Sequence, residues 1–220
     1  MTFGKPILYY GDVVVHTSSR TRVPFSKYWG GLQRKTPMTE SDTDNGNDKC
    51  DDPEGSRYLV AYEDAESLPD MFEVVKDMVE CELGRHRAGL MLGFVDLGIS
   101  HGGFVGAYFV VGGNAIVVNR QALAVIKSRQ PELEKPYQFY LLLHEFLHAV
   151  GILDEAECRG TAAALSARAF GDAHIVTRIS RDFGAMFRNI IQPGFGFMPP
   201  EDTSMEIITG FDRSSVNYIY

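Results

Sequence analysis

The stretch YQFYLLLHEFLHAVGILDEAE, Tyr137 to Glu157, constrains this chain more than any other. Its first half is so apolar that it must be buried, yet it carries two histidines and a glutamate. Burying polar groups costs free energy unless something satisfies them. With PELEK ahead of it and Gly151 behind, the pattern predicts a helix that ends at the glycine. On such a helix His144 and His148, four residues apart, stack one turn apart on one face. Phe139, Leu143, Phe146 and Val150 fall on the opposite face. The expected helix therefore has a dry back for the core and a front with two imidazoles, with Glu145 beside them.

Two imidazoles placed this way can hold one Zn2+ at about 2.0–2.1 Å each. A carboxylate next to them can take a proton from a water activated by the metal. The competing structural explanation is a pair of core histidines bonded to carbonyls. The His-Glu-x-x-His spacing, the helical context and the uncharged flanks favour a zinc site, one per chain. The third ligand is less constrained. Gly151 can take the left-handed conformation that swings the chain back, and Asp154 follows His148 by six residues. The same DEAE segment also fits a helix start, with Asp154 as cap and Glu157 at the third helical position. Asp154 leads, and Glu155, Glu157 and His174 remain open as alternatives.

HEFLHAVGILD resembles the extended zinc signature of the metzincin metallopeptidases, His-Glu-x-x-His-x-x-Gly-x-x-His, with Asp154 where the third His would stand. Snapalysin-type members of that clan are similar in using Asp there, and compact prokaryotic zincins are also similar. The resemblance implies a zinc-dependent metallopeptidase with His144, His148 and Asp154 as ligands and Glu145 as general base. A peptide or protein substrate would then pair with an edge strand above the metal. Metzincins also place a methionine in a tight turn beneath the ion, for which Met198 and Met205 are the candidates. Without that turn, a gluzincin-like arrangement would draw its last ligand from a Glu on the following helix. The alternative class of function is a non-catalytic zinc-bound module, structural or regulatory, that retains the zincin core.

The rest of the chain is consistent with one domain. Its 220 residues, 45% hydrophobic, can bury a core of their own, so residues 1–220 read as a single zincin-like unit. In SLPDMFEVVKDMVECELG, Ser67 is placed to cap a helix, Pro69 and Asp70 lie in its first turn, and Gly84 stops it. AGLMLGFVDLG reads as a buried strand. The runs Val105 to Val111 and Ala115 to Asn119, on either side of Gly112, Gly113 and Asn114, read as a hairpin. PILYYGDVVVHT and RYLVAYED carry strand composition. Helices are expected within Ala156 to Phe170 and over VTRISRDFGAMFRNIIQ, with an irregular tail from Pro193. Residues 35–57 are acidic and nearly free of apolar side chains, which predicts a mobile insertion. The fold class is α+β: a small mixed sheet, a backing helix, the histidine helix and a helical C-terminal part.

The net charge of -8 gives no electrostatic case for nucleic acid or an anionic membrane. Cys50, Cys81 and Cys158 stand at unrelated spacings, so no disulfide framework is expected. The N-terminal apolar run is far too short for a bilayer, and a cytoplasmic enzyme is the expectation.

Overall fold

A computed structural model describes residue 50 and residues 56–99, 105–187 and 204–213. The expected N-terminal strands at Pro6 to Thr17, most of the 35–57 insertion, and Met198 lie outside these residues. Elements run in the order α1 (Ser56–Asp64), α2 (Leu68–Leu83), β1 (Met91–Val95), β2 (Ala107–Phe109), β3 (Ala115–Asn119), α3 (Arg120–Arg129), α4 (Glu134–Ala149), α5 (Glu155–Phe170), α6 (Ile175–Arg181), α7 (Phe183–Met186) and β4 (Glu206–Ile208). This is an α+β arrangement.

The sheet is mixed, in the order β2-β3-β1-β4. β3 is its centre: AIVVN is buried at every position, as a strand covered on both faces must be. It runs parallel to β1, with Met91 opposite Ala115, and antiparallel to β2, with Tyr108 opposite Val117. The β2–β3 pair is the expected hairpin. Gly112, at φ 80°, takes the left-handed turn position, and the Val110 N–H closes on the Ala115 carbonyl at 3.1 Å. β4 joins the other edge, antiparallel to β1.

α2 forms as its sequence dictates. Ser67 and Asp70 make a reciprocal capping box, Pro69 sits in the first turn, and Gly84 closes the helix at φ 63°. Its buried stripe includes Phe72, Val75, Met78 and Val79. Phe72 stacks on Phe211 at 4.2 Å and meets the edge of Phe146 at 5.3 Å. α4 lies at the heart of the molecule, packed against α2, α5, α6, β2 and β3.

Besides β4, a strand in the tail expected to be irregular, four features differ from the sequence expectation. RYLVAYED is helix, not strand: Tyr58 and Tyr62, one turn apart, are buried while Leu59 and Val60 between them are exposed. Aromatic and β-branched residues favour strands intrinsically, but here packing onto α2 and α5 decides. A second difference is α3, which follows β3 without a loop because the Asn119 side chain accepts the Gln121 N–H and caps it. Third, the stretch after His174 is two short helices, broken at Asp182, whose carboxylate caps the second. Fourth, Cys50 and Cys81, 31 residues apart, form a disulfide, contrary to the expectation of none. No helix among the described residues is long and apolar enough to cross a membrane.

Candidate metal centre

The site forms where α4 ends and α5 begins. The Gly151 N–H bonds to the His148 carbonyl at 3.0 Å and the Ile152 N–H to that of Leu147 at 3.0 Å, so the helix closes on itself. Gly151 takes φ 97°, which a side chain would strain, and the chain turns back at that point. Asp154 then caps α5, its Oδ1 accepting the Glu157 N–H at 2.8 Å. With the helix started there, Glu155 and Cys158 lie three residues apart on one face, and that face meets α4.

Three bases converge on one point. The Nε2 atoms of His144 and His148 are 3.1 Å apart. Glu155 brings Oε1 to 3.1 Å from His148 Nε2 and Oε2 to 3.5 Å from His144 Nε2. The other ring nitrogens are engaged elsewhere. His148 Nδ1 lies 2.7 Å from the Ile152 carbonyl, which can only accept, so Nδ1 carries a proton and Nε2 of the neutral ring offers a lone pair. His144 Nδ1 lies 3.6 Å from Cys158 Sγ, and that sulfur is 3.4 Å from the His144 carbonyl.

These separations fit a metal ion. Donor atoms bonded tetrahedrally to zinc at about 2.0–2.1 Å stand about 3.3–3.4 Å from one another. The His144–His148 and His148–Glu155 Oε1 separations, both 3.1 Å, lie near that value, while His144 faces the other carboxylate oxygen, Oε2, at 3.5 Å. The buried group of His144, His148 and Cys158, with candidate ligand atoms all within 4.8 Å of one another, could also hold a metal.

Without a cation the cluster holds a proton instead. Burial works against charge on His148, but its contacts with Cys158 and Glu155 outweigh burial and raise its pKa to about 10. Burial likewise opposes ionisation of Glu155, yet hydrogen bonds from the two imidazoles hold its carboxyl well below the usual range.

Of the residues singled out from sequence, His144 and His148 come together, and Glu145 is buried on the same helix; the three are 0%, 1% and 1% exposed in the order His144, Glu145, His148. The front of α4 is thus as buried as its back, whereas sequence predicted a presented face. Asp154, the expected third ligand, is not brought to the imidazoles. Its carboxylate is turned to the helix start it caps, and Glu155 is the carboxylate that lies beside the imidazoles. Glu157 is exposed, and His174 caps α6 beside Tyr62 and Phe170. Met205 rests against Gly93, on the sheet face that carries Val95 and Val117. α4 packs on the opposite face with Leu92 and Ile116, so Met205 is no turn beneath the histidines. Cys158 was missed in the sequence. Its signal was available: once Glu155 is placed on a helix facing α4, the residue three positions on must face it too.

No protein-family model, no curated protein and no solved structure matches this chain. The geometry alone carries the functional reading.

Proposed function

We propose that this chain is a zinc-dependent peptidase with a zincin-like core, in which His144, His148 and Glu155 hold one zinc ion. The observation that carries the reading is the convergence of two imidazole Nε2 atoms and a carboxylate at 3.1–3.5 Å, with His148 Nδ1 anchored on the Ile152 carbonyl. Histidine ligands of metals characteristically anchor their second nitrogen in this way. A Glu from the helix after His-Glu-x-x-His makes the ligand set gluzincin-like, whereas the spacing to Asp154 had resembled the metzincin pattern.

Zinc bound there would polarise a peptide carbonyl and make a neighbouring water more acidic. The chain's own residues do the rest. Glu145 follows His144 directly, and its carboxylate would accept the proton of the attacking water and return it to the leaving amine. His144 and His148, both on α4, fix the direction of approach, and their burial keeps bulk water out. Glu155, with 29% of its side chain exposed, marks the side from which solvent and substrate reach the site.

One observation favours a second reading, a non-catalytic zinc module. Cys158 is close enough to offer a fourth protein ligand, and four protein ligands close a site to substrate. In addition, Ala107 and Phe109 of β2, the outer strand beside α4, are 0% and 2% exposed, so a peptide pairing there must displace what covers them. A purely structural site has no need of Glu145, which places the peptidase reading first.

The test is Glu145→Gln assayed beside the parent chain. The peptidase reading expects equal zinc content and loss of peptide hydrolysis in the variant, measured on a casein or mixed-peptide substrate. Equal hydrolysis by both forms would remove Glu145 from the chemistry.

A further inference from the structure

Cys158 is fully buried, lies against both candidate imidazole ligands with His144 Nδ1 within hydrogen-bonding reach, and has no part in the proposed reaction. We infer that it is a positioning residue: its sulfur holds His144 in the tautomer and orientation that aim Nε2 at the metal, and it is not itself a ligand. This rests on the zinc reading above.

Three geometric facts support the assignment. Sγ meets His144 at Nδ1, 3.6 Å away, and Nδ1 points away from the shared point that Nε2 faces. The thiol also has a use for its own proton, since the His144 carbonyl lies 3.4 Å from Sγ and can only accept. With S–H donated to that carbonyl, the sulfur lone pairs are left to accept the Nδ1 proton. The third fact is symmetry of role. His148 is anchored through Nδ1 on the Ile152 carbonyl at 2.7 Å, and Cys158 does for His144 what that carbonyl does for His148. Meanwhile Glu155 reaches both Nε2 atoms and completes the donor set from the first turn of α5, one turn before Cys158. One helix thus supplies the third ligand and the support for the first.

Partners that hold a ligand's second nitrogen are worth about 10–100-fold in metal affinity when removed. Cys158→Ser keeps a group that both donates and accepts, Cys158→Val fills the space without one, and Cys158→Ala leaves it empty. Zinc affinity, read by competition with a chromophoric chelator, is expected to fall about 10–100-fold in Cys158→Val and Cys158→Ala and to recover substantially in Cys158→Ser. A packing role alone would instead restore affinity in Cys158→Val. Cobalt(II) substituted into the parent chain is expected to show no sulfur-to-cobalt charge-transfer absorption in the near ultraviolet. A charge-transfer band that vanishes in Cys158→Ser would make Cys158 a ligand and overturn the inference. So would zinc affinity in Cys158→Val equal to that of the parent. A parent chain that binds neither zinc nor cobalt overturns the metal reading itself, which separates the two failures.

Discussion

Two buried polar clusters in this molecule answer the same problem in opposite ways. On one side of α2, Lys76 Nζ lies 2.7 Å from Glu73 and 2.7 Å from Asp212, and the second oxygen of Asp212 accepts the Leu90 N–H at 3.1 Å. The cation is part of the chain, each carboxylate oxygen of Asp212 has a donor, and the segment after β4 is pinned to the core. At the α4–α5 junction the groups that meet are two imidazoles and a carboxylate, all bases. That cluster's positive charge is a proton on His148, or a metal ion that the buried group of His144, His148 and Cys158 could hold. The contrast separates a cluster satisfied by its own lysine from one that could take a metal ion, which burial alone does not do.

Removing a histidine has the largest expected effect. His144→Ala or His148→Ala should abolish zinc binding by elemental analysis, whereas Asp212→Ala should leave one zinc per chain. If the histidine variants retained zinc, the comparison would collapse.

Next in size is the stability of the Lys76 cluster. Asp212→Ala strands a buried ammonium and should cost up to about 3–5 kcal/mol in urea unfolding, moderated because Glu73 remains. Replacing both partners by apolar residues, Lys76→Met with Asp212→Leu, should recover most of that loss. A double variant as unstable as Asp212→Ala would mean the ion pair does more than satisfy its own charges.

Smaller still is the effect at the start of α5, where adjacent acids have different duties. Asp154→Ala removes a cap and should cost about 0.5–2 kcal/mol with zinc held as before. Glu155→Ala should weaken zinc strongly with little change in the stability of the metal-free chain beyond its ion pair. Zinc titration and thermal unfolding on both variants check the division, and an exchange of these outcomes would restore Asp154 as the ligand.

The last comparison is read from pH dependence. His148 has a folded pKa raised from 6.5 to about 10, so its contribution to the metal-free fold is complete below pH 6.5 and fades as pH rises to about 10. Glu155 is displaced the other way from 4.5, so its contribution is complete above that pH and is lost on acidification. Metal-free chain should therefore lose thermal stability between pH 6.5 and about 10, a decline that zinc, standing where the proton stood, removes. Parallel melting curves with and without zinc would contradict a shared place for proton and metal.

What the sequence revealed and what it hid have physical causes. The α2 helix was legible because its signals are local: Ser67, Pro69, Asp70 and Gly84 act within a turn of themselves. The hairpin was legible from Gly112, Gly113 and Asn114 between two apolar runs. His144 and His148 were legible because helical spacing alone brings them together. Non-local determinants were not. Tyr58 and Tyr62 look like strand residues until α2 and α5 bury them from one side. β4 is three residues whose only reason to be a strand is the open edge of β1. The placement of Asp154 turned on a single step of register: whether the chain that reverses at Gly151 uses it to start a helix or to reach back. Only the packing of α5 on α4 settles that, and the Cys50–Cys81 disulfide likewise depends on distant segments meeting.

The central claim is that a cation belongs between His144, His148 and Glu155, and crystals grown with zinc test it most directly. An anomalous difference map at the zinc edge should give one peak about 2.0–2.2 Å from both Nε2 atoms and from a Glu155 carboxylate oxygen. A zinc peak held by Asp154 in place of Glu155, or no peak at the two imidazoles in zinc-soaked crystals, would contradict it.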